Sequence, residues 1–509
     1  MQQISRRQFL KLAGLSGISV LVSACFPQFD PGDQKSATQI PDDTQVDLEF
    51  NLTAIADRIQ IFSGQATSVW RYHGEVLKGN ASALVNLEGS YLGPIFHVRT
   101  GQVVRIHFKN ELPEQSIIHW HGLHVPIEAD GHPRLVIEEG ETYSYTFKVM
   151  DRVGTYWYHP HPHERTGPQV YAGLAGLFII HDDEEDALNF PKGDFDIPLV
   201  IQDRVFSSEN QLSYGGNMMT QMEGFLGNEI LVNGFPDAHY DLTAGVYRFR
   251  LLNGSNSRIY KVAWKDGHPL TIIGTDGGLL ETSIEMESVT LAPAQRLELW
   301  VDLSNEVVGT EKELISLPHA APGGGEMLSL LKISLTEAAD SDQVLSLPEN
   351  LTAIQWENAD QAVNHTNPRK FELSMGRGMQ FMLNGRSFRM EQVAENEKVK
   401  LGDLEIWEFE NVRGGMGMMN HMDIPHPMHI HGLQFQILDR DLSGVDQGVW
   451  DELIQGYVDE GWHDTVLVLP GEKVKLLMRF EDFTGLYLYH CHNLEHEDQG
   501  MMRNYLVTT

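Results

Sequence analysis

Cys491 is one of only two cysteines in the 509-residue chain, and it stands between two histidines in "LYLYHCHNLEHEDQGMM" (486–502). A thiol flanked by imidazoles, with His496 and Met501 close behind, is a set of soft metal ligands. Four H-x-H pairs account for eight of the 23 histidines: His119/His121, His159/His161, His429/His431 and His490/His492. Residues i and i+2 of a strand share a face, with alpha carbons roughly 6–7 Å apart. Each pair can therefore present two imidazoles side by side, and four pairs can enclose a group of metal ions. One such pair is a weak signal, because surface and core histidines are common. Four pairs in duplicated contexts are hard to obtain by coincidence.

Alternation sends Cys491 the other way. With His490 and His492 on one face, the thiol lies on the opposite face, where it can meet His426, His496 and Met501. Two histidines, one thiolate and a weak axial thioether form a blue-copper electron-transfer site; the alternative is an inert buried thiol. "HPMHIH" (426–431) makes the same join again, with His426 toward the mononuclear site and His429 and His431 toward the cluster. An electron arriving at the sulfur has a short covalent path to the neighbouring histidines.

The elements that must hold these groups are strands. "GQVVRIHFKN" (101–110), "GVYRFRLLN" (245–253) and "GDLEIWEFEN" (402–411) each run from a turn glycine through alternating apolar residues to an asparagine. That alternation predicts half-buried strands, and the copies lie a typical domain length apart. An all-β chain of three similar sandwiches follows. A second echo links only the first and last copies: "SIIHWHGLHV" (116–125) parallels "HPMHIHGLQF" (426–435). The middle copy lacks such pairs and reads as a spacer. Its His268 and its Met218, Met219 and Met222 are read as structural.

The formal net charge is −34. That argues against nucleic acid as a partner, which needs a basic face. It suits either cationic partners or simply an acidic soluble surface. Past the N-terminus no apolar run is long enough to span a bilayer. The N-terminus itself, "SRRQFLKLAGLSGISVLVSAC" with Arg6-Arg7, resembles a twin-arginine export signal over residues 1–25. "LVSAC" resembles a lipobox, which makes Cys25 a lipid anchor ahead of a polar tether at 26–45; the competing reading is ordinary cleavage near Cys25 and a soluble protein. Either way the expectation is the periplasm or cell envelope, with Cys491 left as the lone thiol.

The elements HWHG, HPH, HPxHIHG and HCHxxxHxxxxM, in this order, resemble those of the multicopper oxidases across the whole mature length. "GWHDTV" (461–466) and "HCHNLEHEDQGMM" are most similar to bacterial copper efflux (cuprous) oxidases and bacterial laccases. The resemblance implies three cupredoxin-like Greek-key β-sandwich domains at 46–185, 186–345 and 346–509, the middle one without copper, in a monomer. It implies four copper ions: type 1 at His426, Cys491, His496 and Met501; type 2 at His119 and His429; and a type 3 pair at His121, His159, His492 and at His161, His431, His490. A methionine in the axial position implies a lower potential than that of the high-potential fungal laccases. Asp130 and Glu497 match acidic positions that assist proton delivery in the family; the alternative is a pair of solvated loop carboxylates.

The implied reaction takes single electrons from Cu(I) or small phenols and reduces dioxygen to water. Met416, Met418, Met419, Met422 and Asp423, just before His426, suit a docking site for cuprous ions. The alternative is loop or packing methionines, since the segment is short and its Asp and Met are out of the efflux-oxidase register. A laccase without a role in copper homeostasis and a non-enzymatic electron carrier are the other readings. A carrier needs only the blue site, so the eight cluster histidines argue against it.

Overall fold

The computed structural model describes residues 45–216, 218–340, 343–376, 380–413 and 423–509. The export segment with Cys25, all of the tether but its last residue, and Met416, Met418, Met419 and Met422 lie outside those residues.

Val103–Asn110, Val246–Asn253 and Leu404–Asn411, the three copies of the recurring phrase, are strands with equivalent partners. Each runs parallel to an earlier strand, Leu48–Ile59, Asp196–Arg204 or Arg369–Met375. Each also runs antiparallel to a later one, Thr142–Lys148, Arg296–Asp302 or Lys473–Arg479. The closing asparagine has the same task each time. The Asn110 side chain donates to the carbonyls of Glu114 and Ile137, Asn253 to those of Arg258 and Leu291, and Asn411 to those of Ile424 and Val468. A buried amide that satisfies two carbonyls pins the chain that passes the end of the strand.

Each copy belongs to one sheet of a sandwich. The first sandwich packs a four-stranded sheet on a five-stranded one, with Phe50, Ile106 and Phe108 meeting Phe96, Trp120 and Phe178 in the core. The middle one pairs sheets of seven and five strands, and the last pairs two of five. Among the described residues no helix is long and apolar enough to cross a membrane.

The expected half-burial holds only for the first copy. Val103–Asn110 alternates, whereas every residue of Val246–Asn253 is buried, and all but Glu410 of Leu404–Asn411. In the middle copy the polar face is covered by ion pairs. Arg248 and Arg250 meet Glu298, Glu185 and Asp196, and Thr155 of the first sandwich donates to Glu298 at 2.5 Å. Charges are tolerated there because each is paired and hydrogen-bonded.

Candidate metal centre

The histidine-bearing strands lie side by side in register. Ile118–His121 pairs antiparallel with Gly154–Pro160, setting His119 opposite His159. His426–Ile430 pairs with Gly485–Cys491, setting Met428 opposite Cys491 and His429 opposite His490. The rings of the four H-x-H pairs sit 5.6, 6.0, 5.1 and 5.5 Å apart, side by side as strand alternation requires. All eight rings are buried.

Together they form one cluster between the first and last sandwiches. His119 Nε2 lies 3.3 Å from His429 Nε2, and His490 Nε2 lies 3.0 Å from His431 Nε2 and 3.4 Å from His161 Nε2. The rings of His121 and His159 stand 5.0 and 5.2 Å from that of His492. In most of these rings the second nitrogen is held by an oxygen. His119 and His429 donate from Nδ1 to the carbonyls of Asp130 and Asp464 (2.6 and 2.7 Å). His159 and His490 donate to the carbonyls of Pro160 and Cys491. His431 donates to the Asp130 carboxylate at 3.0 Å. Oxygen on one ring nitrogen fixes the tautomer and leaves the other as a lone pair turned inward.

Burial above all, and then the mutual repulsion of positive rings, pushes His119, His121, His429, His431 and His492 well below their ordinary values. Burial holds His159 at about 4 and His161 at about 3. These seven rings are neutral at pH 7, with nitrogens of several facing one another or, at His121 Nδ1, His159 Nε2 and both nitrogens of His492, meeting no hydrogen-bond partner. Neutral imidazoles with converging lone pairs fit copper.

Cys491 faces the other way, as alternation demands. Its Sγ lies 3.5 Å from His426 Nδ1 and 3.6 Å from His496 Nδ1, and the two nitrogens are 3.2 Å apart. The peptide N–H of Asn493 donates to the sulfur at 3.4 Å. Burial pushes the thiol up, so it stays protonated at neutral pH unless a cation takes the place of the proton. Residues 491–501 close on themselves: Asn493 caps the helix Leu494–Asp498, Met501 N–H donates to His496 O, and Cys491 N–H donates to Met501 O. This closure is why the spacing H-C-H-x3-H-x4-M brings Cys491, His496 and Met501 into one buried cluster of the third core, with Phe381 stacked 3.9 Å from His496.

Asp130 and Glu497 are buried, which removes the solvated-loop alternative for both. Glu497 lies 3.5 Å from His161 Nε2 and 3.2 Å from His490 Nδ1. Burial would raise its carboxyl, but the two histidines outweigh that and hold it at about 2. Asp130 is raised by its burial. Asp423 is half exposed and ion-paired to Arg413 at 3.0 Å, so Arg413 competes with any cation for its carboxylate.

The middle sandwich is more than a spacer. The metal-capable clusters among the described residues contain none of its side chains, and His268 lies exposed in a turn. Yet the carbonyl of Met222 accepts from His496 Nε2 at 2.8 Å, which places the helix Met218–Glu223 against the thiolate site. Arg296 reaches Asp464 beside the cluster. Asp464 lies in the noted phrase "GWHDTV", a signal for its importance; nothing near Arg296 in sequence marks it. Met375 and Phe381, which line a recess over His426, also carry no spacing signal.

Three stretches, residues 69–185, 208–310 and 362–509, match family models described as multicopper oxidase. A multicopper oxidase of Staphylococcus aureus is 33% identical over 439 residues, spanning 85% of this chain and 86% of its own. Among solved structures, the McoA multicopper oxidase of the hyperthermophile Aquifex aeolicus is 35% identical with a TM-score of 0.77, over 91% of this chain and 97% of its own. A laccase from Pediococcus acidilactici is 33% identical with a TM-score of 0.74, over 91% and 90%.

Proposed function

The chain belongs to the multicopper oxidases, enzymes that pass electrons from a reducing substrate to dioxygen, and on that premise we propose that it is a cuprous oxidase of the cell envelope. The type 1 ion is assigned to His426, Cys491, His496 and Met501, and the type 2 ion to His119 and His429. The type 3 pair is assigned to His121, His159, His492 and to His161, His431, His490. When bound, copper supplies one-electron redox chemistry at the thiolate site and the capacity to reduce dioxygen by four electrons at the cluster.

The residues around the cluster do the rest. Cys491 shares its backbone with His490 and His492, so one short segment joins both centres. Asp130 and Glu497 stand on different histidines of the cluster, where each can hold or pass a proton. Burial of all eight rings keeps bulk water away.

One observation carries the choice of donor. His426 keeps 6% exposure, whereas Cys491, His496 and Met501 have none, so electrons enter at His426. The recess above it is lined by Met375, Phe381, Val412 and Ile424. Met375 there sets a soft thioether beside the entry point, which suits a cuprous ion. Likeness to a laccase favours the second reading, phenol oxidation.

Dioxygen uptake with Cu(I) against dimethoxyphenol separates the two. The expected result is faster turnover of Cu(I), one dioxygen per four donor electrons, and loss of Cu(I) turnover alone when Met416, Met418, Met419 and Met422 become serine. Faster phenol turnover, with Cu(I) oxidation untouched by those changes, would put the laccase reading in its place. The envelope location rests on Arg6-Arg7; changing both to lysine is expected to leave the protein in the cytoplasm on cell fractionation.

A further inference from the structure

We propose that Arg296, in the sandwich that supplies no copper ligand, is a positioning residue for the histidine cluster and acts on it through Asp464. The inference rests on the copper assignment above. A guanidinium has five N–H donors, and all five of those on Arg296 are used. Nε donates to Thr155 O at 2.9 Å. Nη1 donates to Ala294 O and Asp464 Oδ1, both at 2.9 Å. Nη2 donates to Asp276 O at 3.0 Å and to Asp464 Oδ2. The acceptors come from all three sandwiches, and Asp464 is gripped through both oxygens, the geometry that Arg provides and Lys does not.

What Asp464 does with that fixed position concerns the metal. Its Oδ1 lies 2.9 Å from His121 Nε2, and it also accepts from Thr465 Oγ at 2.9 Å. With Nε2–H given to the carboxylate, Nδ1 is the nitrogen of His121 left for a ligand bond, and it is buried without a hydrogen-bond partner. The carbonyl of the same Asp464 takes Nδ1–H of His429, which leaves that ring's Nε2 turned toward His119. One residue thus selects opposite nitrogens on two histidines, one assigned to type 3 and one to type 2. Neither group can swing aside: Gly122, the glycine of HWHG with φ +87°, leaves no room for even a Cβ between Asp464, Arg296 and Tyr156. A guanidinium that only joined sandwiches would not need to meet the carboxylate that sets ligand tautomers.

The test uses the full-length, copper-loaded chain with Arg296→Met and Arg296→Lys. The measurements are copper per chain after dialysis, the blue absorption of the thiolate site, and the electron paramagnetic resonance spectrum of the type 2 ion. For Arg296→Met we expect the blue colour to persist. Cluster copper should be held about 10–100-fold more weakly, the range for loss of a group that orients a ligand. The type 2 spectrum should change, and kcat should fall while KM for the donor stays. Arg296→Lys should recover part of the copper. An Arg296→Met protein with full copper and an unchanged type 2 spectrum, differing only in melting temperature, overturns the inference. Should Arg296→Met not fold, the type 2 spectrum of Arg296→Lys decides: altered supports the role, identical to the parent overturns it. A parent protein that folds but retains no cluster copper overturns the underlying assignment instead.

Discussion

A thiol and ten imidazoles removed from water would bring little stability to a core designed for packing alone, and their pKa directions show what they lack. Burial drives the Cys491 thiol up and the His426 and His496 rings down, so these three are neutral until a cation arrives. Copper must then displace the proton of Cys491. Copper affinity of the thiolate site is expected to fall as pH falls, with loading measured by recovery of blue colour. A Cys491→Ser protein should lose that colour and all turnover. Proton supply is a separate matter. Asp130→Asn and Glu497→Gln are each expected to keep the blue colour and lower kcat about 100-fold, the usual worth of a placed acid or base. Because burial raises Asp130, its proton-donor form is lost as pH rises through its pKa, so the alkaline limb of the rate profile should flatten in Asp130→Asn. The grouping of these side chains was legible in sequence because strand alternation turns spacing into direction, as at His490, Cys491 and His492. Arg296 and Met222 were not, because their partners Asp464 and His496 lie 168 and 274 residues away and no periodicity links them.

At the scale of elements, the recurring phrase was readable as strand from its alternation, and its last residue turns out to matter most. Asn411 holds the carbonyls of Ile424 and Val468 at 2.8 and 3.0 Å, and so ties down the segment that delivers His426. Asn411→Ala leaves two acceptors without a donor, each worth about 1–3 kcal/mol when buried. A loss of roughly 2–4 kcal/mol is expected by denaturant titration, with a shifted blue absorption because His426 loosens. Asn110→Ala should cost a similar amount and leave the colour alone. The burial of both faces of Val246–Asn253 could not be read from the phrase. What covers Arg248 and Arg250 is Glu298 of the adjacent strand and Glu185 from beyond the first sandwich, and a strand's own pattern does not record its neighbours' charges.

At the scale of the whole molecule, the three described sandwiches are joined by the middle one, which places no side chain in the metal-capable clusters among the described residues. Glu495, next to His496, accepts from Tyr214 Oη, Phe225 N–H and Asn256 Nδ2 at 2.8–2.9 Å and from Ser257 Oγ, all in the middle of the chain. Arg296 binds the cluster side, and the Glu298 network joins the first sandwich through Thr155. The thiolate site and the cluster are thus referred to one rigid frame. That frame has an acid limit with a definite sign. Burial raises Glu185, Glu298 and Asp196, but Arg248 and Arg250, together with His181 at Glu185, outweigh it and hold all three below their ordinary values. Carboxylates lowered in the fold contribute stability that is present above the unfolded pKa of about 4 and is lost as pH falls through the folded value. Glu298→Gln removes the partner of two buried arginines, a change that typically costs about 3–5 kcal/mol. At pH 7 its melting midpoint should lie well below that of the parent. The gap should narrow as pH drops below about 4, because the parent then loses what the variant already lacks. Parallel melting curves at pH 7 and pH 3 with a constant gap would show that Glu298 holds the sandwiches by shape and not by charge.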